Sequence, residues 1–329
     1  MLRCMYSGIS GMKVNQTKLD VIGNNIANVG TTSFKSSRAI FSDMLYQNAG
    51  EATAPTTTKG GTNAKQVGLG AKLESINKVM GQGNALSTGR SLDVCVDGDG
   101  YFIVGSGAIT GKNPVDANKH EYGTGAADLS VQYTRDGNFT LDYQGNLLTA
   151  DGYRVMGYNV DSALTADATK GITATYKDAD NITAADGGNL VPLAIPDSVD
   201  NGGKPDPVKK FEIGKDGLIT AVLGSGKRAV LGQIAMASFK NPEGLTSVGG
   251  NKLQISSNSG PAILKSAVKA SEDNSKGFGD CIQGSLEGSN VDLTEQFTDM
   301  ITATRSFQAA SKMITTGDEI LQTITGLMR

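Results

Sequence analysis

Two stretches, one at each end of the chain, carry apolar residues at alternating steps of three and four. Positions 2, 5, 9, 12, 16, 19, 23 and 26 hold Leu, Met, Ile, Met, Gln, Leu, Gly and Ile, the seam spacing of helices that pack lengthwise. Positions 293, 297, 300, 304, 307, 311, 314, 318 and 321 hold Leu, Phe, Met, Thr, Phe, Ser, Ile, Asp and Leu. Asn28 and Gly30 supply residues tolerant of a left-handed backbone where the first helix should stop. Asn290 or Asp292 can cap the second, with Glu295 in capping-box position after Asp292. From Leu293 to Met328 that helix would run roughly 54 Å at 1.5 Å per residue. A lone amphipathic stripe of this kind is only marginally stable in water. The two ends are therefore expected to pair, with everything else inserted between them.

The interior reads as β-structure. Leu92, Val94 and Val96 alternate with Asp93, Cys95 and Asp97, the pattern of a half-buried strand. Asp-Gly pairs, which suit tight hairpin turns, begin at Asp97, Asp99, Asp136, Asp151, Asp186 and Asp216. Strand–turn–strand units are expected from Tyr133 to Leu141 and from Phe211 to Val222. The Thr-, Gly- and Ala-rich segment from about 50 to 70 reads as extended, and Pro192, Pro196, Pro205 and Pro207 mark irregular connections. The expected architecture is α+β and multidomain: long terminal helices pairing as a coiled coil, with antiparallel all-β, sandwich- or barrel-like domains between them. Its divisions are 1–30 with 290–329 (helical), 31–72 (extended connector), 73–155 with 233–289 (discontinuous β domain) and 156–232 (an inserted outer β domain).

Catalytic constellations are sparse. The single histidine, His120, sits among Asn118, Lys119, Glu121 and Gly123 and reads as an exposed polar loop. One histidine excludes paired-histidine metal motifs. Glycine pairs such as Gly68 and Gly70 never extend to a nucleotide-binding fingerprint. Asp93, Asp97 and Asp99 lack calcium-loop spacing. Carboxylates beside Cys95 argue against a reactive thiolate. Cys4, Cys95 and Cys281 are too few and too scattered for a disulfide framework or zinc site. No enzyme, cofactor or metal is expected. With 30 basic against 33 acidic residues and a net charge of −3, the chain lacks the basic excess of a nucleic-acid binder. No run of 18 apolar residues suggests membrane insertion, and no cleavable secretory signal is visible. An adhesin-like surface binding module is the competing class, although it would normally confine its coiled coil to one end. A glycan-acting enzyme would want an aromatic-lined cleft with paired carboxylates; aromatics make up 5% and Trp is absent.

Asn24, Asn25 and Asn28, with Gly8, Gly11 and Gly23, make the first stretch a poor isolated helix, one that orders when neighbours satisfy it. A helical hairpin that merely closes a monomer is the plainer alternative. Against it stand motifs at both ends. Ser10-Gly11-Met12, then Leu19-Asp20-Val21-Ile22-Gly23-Asn24-Asn25-Ile26-Ala27-Asn28 and Thr31-Thr32-Ser33-Phe34-Lys35, closely resemble the N-terminal signature of bacterial flagellar rod and hook proteins. Ser285 to Leu293, Arg305 to Lys312 and Thr315 to Leu321 resemble the C-terminal motifs of that family. Leu92 to Phe102 with Tyr133 to Leu148 is similar to its β core. Departures are small: Gly30, Ser33, Ala310 and Gly317 stand where Asn, Gly, Asn and Ser are usual.

The resemblance implies a subunit that copolymerises with itself into a helical tube, its terminal helices lining the inner wall. The implied interface residues are Ile9, Met12, Leu19, Ile22, Asn24, Asn25, Ile26 and Asn28, with Leu293, Phe297, Met300, Phe307, Ile314 and Leu321. The continuation Ser36 to Leu45 and the 156–232 insert look more like the hook members, curved universal joints transmitting torque for motility, than the distal rod members, which are the alternative. Implied partners are further copies of the chain, the distal rod, hook cap, hook-length ruler and hook–filament junction proteins, and the flagellar type III export apparatus. The implied location is the extracellular hook, reached without a cleaved signal peptide.

Overall fold

The structure, a computed structural model, describes residues 2–327 apart from 58, 117–118, 124–128, 168–170, 183–184 and 271. Met328 and Asn118 lie outside the described residues, as does the side chain of Leu2. Two compact units form.

The first unit comprises residues 1–30, 35–80 and 290–329. Helix α1 spans Leu2–Ala27 and helix α2 spans Leu293–Leu327. They pack against each other. Asp292 caps α2: its Oδ1 accepts from the Thr294 amide at 2.8 Å and the Glu295 amide at 3.4 Å. Asn290 serves elsewhere, accepting from the Ser36 amide and donating to the Val79 carbonyl, both at 2.7 Å. Helix α1 stops without a left-handed residue at Asn28 or Gly30. The Asn28 side chain instead donates to the Asn24 carbonyl at 2.9 Å. Strands Ser37–Asp43 and Ala71–Lys78 pair antiparallel, with a bulge at Ile40/Phe41. Tyr46–Gly50 and Lys65–Gly68 form a second antiparallel pair. Over 31–72, read in the sequence as an extended connector, the chain pairs into strands, many of whose side chains stay exposed.

The second unit holds residues 31–34 and 81–289. Its strands join through a nearly all-antiparallel network, with one parallel pair between Gly171–Thr175 and Ser198–Asp200. Strand Tyr101–Gly107 buries both faces. Phe102 enters one apolar cluster with Val94, Phe139, Leu193 and Leu231, while Tyr101 and Ile103 enter another with Tyr133, Tyr158 and Phe239. Edge-to-face rings knit each cluster, Phe102 with Phe139 at 5.2 Å and Tyr133 with Phe239 at 4.8 Å, geometries worth about 1 kcal/mol beyond burial. The insert expected at 156–232 closes only a small cluster of its own, Val160, Ile182 and Val230, while Ile172, Ile219 and Leu231 share the larger one with Val94 and Phe102.

Several local expectations change. Phe211 to Val222 does form a hairpin, with Gly217 at φ +81° in the turn. Tyr133 to Leu141 does not: Leu129–Thr134 pairs with Tyr101–Gly107, and Phe139–Leu141 pairs with Leu147–Thr149. Asp186 lies within strand Ala185–Pro192 rather than a turn. Pro205 and Pro207 lie within strand Pro205–Ile213. Val94, Cys95 and Val96 are all buried, so that strand is covered on both faces. His120 is half-buried, in a tight turn at φ +53°.

Candidate assembly surface on the terminal helices

The helix pair is antiparallel, as its contacts run in opposite order along the two chains. A side chain added at Gly317 would meet Met5 at 3.2 Å, one at Gly8 would meet Ile314 at 3.3 Å, and one at Gly11 would meet Ala310 at 3.8 Å. Lys18 Nζ lies 3.2 Å from Asp299 Oδ1. Asn25, fully buried, donates to Gln296 Oε1 at 3.0 Å. The same Asn25 amide clasps Ser37 reciprocally, donating to its carbonyl at 2.8 Å and accepting from its amide at 2.9 Å. One polar side chain thus sets the ends of both helices and the start of the first strand. An unpaired amide at such depth would cost about 1–3 kcal/mol.

On α2 the covered face is Met300, Ala303, Phe307, Ala310, Ile314, Gly317 and Leu321, all buried or half-buried. On α1 it is Met5, Gly8, Met12, Asn15, Leu19, Ile22 and Ile26. Both alternate steps of three and four, yet both differ by one residue at every second position from the seams read in the sequence. Small residues explain the slip. Gly8, Ala303, Ala310 and Gly317 let the backbones approach and carry little apolar signal, so Ile9, Thr304, Ser311 and Asp318 beside them drew the assignment instead.

Of the residues singled out as interface, Met12, Leu19, Ile22, Asn25, Ile26, Met300, Phe307, Ile314 and Leu321 lie on or beside the intramolecular seam. Asn28 is half-buried at the end of α1. Ile9, Asn24, Leu293 and Phe297 are exposed, as are Tyr6, Ile301, Met313 and Ile320. The sequence reading missed these last four. Among the described residues no group of three or more His, Cys, Asp or Glu is placed to hold a metal ion, and no helix is long and apolar enough to cross a membrane.

The second unit contains a buried charged hub that sequence reasoning also missed. Arg135 Nη1 lies 3.2 Å from Glu287 Oε1 with both side chains buried. Arg135 Nε donates to the Gly100 carbonyl at 2.9 Å, and its Nη2 donates to the Gly98 carbonyl. Glu287 Oε1 also accepts from the Gly83 amide at 2.9 Å. Beside it, Ser33 holds a left-handed backbone at φ +55°, its amide donating to the Glu287 carbonyl and its hydroxyl to the Arg135 carbonyl, both at 2.8 Å. Cys281 is buried, and burial pushes its thiol up to about 12, which leaves it unreactive at neutral pH.

Paired terminal helices that both present exposed apolar side chains, on a chain whose remainder is a β body, have the architecture of an assembly-type protein. Comparison with known proteins gives that class a family. The family described as "Flagella basal body rod protein" matches residues 5–35. "Flagellar hook protein FlgE/F/G D1 domain" matches 125–221, and "Flagellar basal body rod FlgEFG protein C-terminal" matches 282–327. A "Flagellar basal-body rod protein FlgG" of Bacillus subtilis (strain 168) is 40% identical over 329 positions, covering 100% of both chains. A "Flagellar hook protein FlgE" of Borreliella burgdorferi is 29% identical over 452 positions, covering 99% of this chain and 100% of that one. A crystal structure of the Helicobacter pylori flagellar hook protein FlgE2 aligns at 11% identity with a TM-score of 0.40, over 61% of this chain and 100% of that one, a likeness too loose to compare folds. The chain belongs to the flagellar rod and hook protein family, whose members are structural components of the flagellum.

Proposed function

We propose that this chain is an axial subunit of the flagellum that polymerises through its terminal helices into a tube. The observation that carries the reading is the helix pair itself: α1 and α2 satisfy one face of each other, yet Ile9, Phe297, Ile301 and Ile320 remain in water. Further copies would cover them, extending the pair into coiled-coil layers with a continuous apolar core. Deleting residues 1–25 should abolish sedimentable polymers of the purified protein while the second unit keeps its β-sheet circular dichroism. Intact polymers from that truncation would refute the reading.

Two positions along the axis suit such a subunit, and each has an observation behind it. The distal rod is favoured by the 40% identity to a rod-named relative over this chain's own length. That relative covers 156–232 as well, and alignments to two hook-named relatives run over 452 and 469 positions, more than a hundred beyond this chain's 329, so the segment lends the hook no support. The hook is favoured by the resemblance of Ser36 to Leu45 to hook members. In either place the subunit reaches its site through the flagellar type III export apparatus without a cleaved signal. At the hook it would meet the distal rod, hook cap, length ruler and junction proteins, and transmit torque as an extracellular universal joint. Gold-labelled antibody against residues 156–232 on isolated hook–basal bodies separates the two. Label along the curved external segment establishes the hook, and label on the straight stub beneath it establishes the rod.

A further inference from the structure

We propose that an apolar groove on α1 receives the C-terminal half of α2 from a second copy of the chain; this rests on the axial-subunit reading and names the contact that would carry it. The groove, about 570 Å³, runs along α1 from Tyr6 to Thr17 and is walled on its other side by Met44, Leu69 and Leu73. Its floor is fixed by a close approach. Gly70, at φ +117°, lies so near α1 that any side chain there would overlap Ser10 Oγ. The walls are apolar yet stand in water, with Tyr6 67% and Leu73 40% exposed.

The matching surface is on α2. Met313, Ile320, Ile324 and Leu327 are all exposed, and steps of seven, four and three put them within about 60° of one another on the helix. That is the anchor spacing of a helix seated in a groove. The stripe is about 21 Å long and the groove about 17 Å, so three turns of one helix meet three turns of the other. Charge agrees as well. The charged side chains lining the groove are Lys13 and Lys72, whereas those between Met313 and Leu327 are Asp318 and Glu319, of which Glu319 is the nearer to the stripe.

The stripe cannot reach the groove within one molecule. Helix α2 already lies against the Gly8 face of α1, and Tyr6, Ile9 and Lys13 are turned roughly 100–160° from that face. Groove and stripe are therefore different surfaces that only separate copies can join. Such a head-to-tail contact leaves one groove and one stripe free at each step, which builds an open filament rather than a closed dimer.

The test uses full-length chains carrying Cys4→Ser, one with Leu73→Cys and one with Ile320→Cys, mixed under polymerising conditions and oxidised. A disulfide-linked dimer in the sedimented polymer, present in the mixture and absent from either chain alone, is the expected result. Polymer that sediments without the cross-link overturns the groove contact and leaves the axial reading standing. Variants with native circular dichroism that never sediment, when the Cys4→Ser parent also fails to, overturn both. A charge exchange tests the same contact without cysteine. Lys72→Glu should raise the critical concentration about two- to fivefold, the range an exposed ion pair supplies, and adding Glu319→Lys should restore it. An equal defect in the double variant would also overturn the proposal.

Discussion

Arg135 and Glu287 are the residues on which the second unit can least afford a change. Both charges are out of water, and each is held by more than its partner: two backbone carbonyls take the guanidinium and a backbone amide takes the carboxylate. Removing one charge from such a pair strands the other, at a cost of about 3–5 kcal/mol. Arg135→Ala and Glu287→Ala should each lower the denaturation free energy of the protein by that order in urea titrations, and losses under about 1 kcal/mol would mean that water already reaches the site. Asp273 makes the opposite kind of case, an exposed carboxylate held by its neighbours. Hydrogen bonds from the Ser275 hydroxyl and amide and from the Ser266 hydroxyl hold its pKa down to about 2, against an ordinary value of 3.8. A depressed carboxylate stabilises the fold above its unfolded value and loses that contribution as pH falls toward the folded one. The Ser275 amide resonance should therefore titrate near pH 2 and lose its shift in Asp273→Asn; a midpoint near 3.8 would mean that the turn does not hold the carboxylate. Neither site was legible in the sequence. Arg135 and Glu287 are 152 positions apart, and in a chain with 33 acids and 30 bases nothing local marks which pair is buried.

At the scale of elements, both helices and their pairing were legible because a three–four repeat over many turns is a strong signal. The face was misplaced because close helix packing uses residues that carry no hydrophobic mark. Gly8 and Gly317 sit where Ile314 and Met5 need room. Gly8→Leu should therefore force the helices apart, costing about 1–3 kcal/mol as overpacking does, even though leucine is by far the better helix former. Lower helical signal and an earlier first melting step would bear this out; a rise in helicity with unchanged melting would show the seam to be loose. The β elements were legible where a turn residue and a hairpin coincided, as at Gly217, and where apolar residues alternated, as at Val94–Asp97. At Asp136 the same dipeptide failed, because the strand before it is claimed by Tyr101–Gly107 and the strand after it by Leu147–Thr149. Long-range pairing overrides local turn chemistry there, and no dipeptide records it.

For the molecule as a whole, a boundary read from composition and one set by packing give different answers over 156–232. Clustered prolines mark irregular connections there, and the sequence reads as an inserted outer β domain. In the structure Ile172, Leu193, Ile219 and Leu231 share an apolar cluster with Val94, Phe102 and Phe139, all three of them outside the segment. Cutting the segment free would expose that shared face. A buried side chain of this size contributes about 1.5–3 kcal/mol by leaving water, and losing the partners of several at once is comparable with the roughly 5–15 kcal/mol that stabilises a typical domain. The excised 156–232 fragment should therefore show poorly dispersed amide resonances, whereas residues 31–289, which contain both sides of the cluster and the Ser33–Arg135–Glu287 contacts, should melt in a single cooperative transition. A well-dispersed spectrum from the short fragment would restore the insert as a domain in its own right. The distinction bears on the proposed assembly: if copies stack into a tube that bends, a single cooperative unit would move as one block, and the bending would fall to contacts between copies.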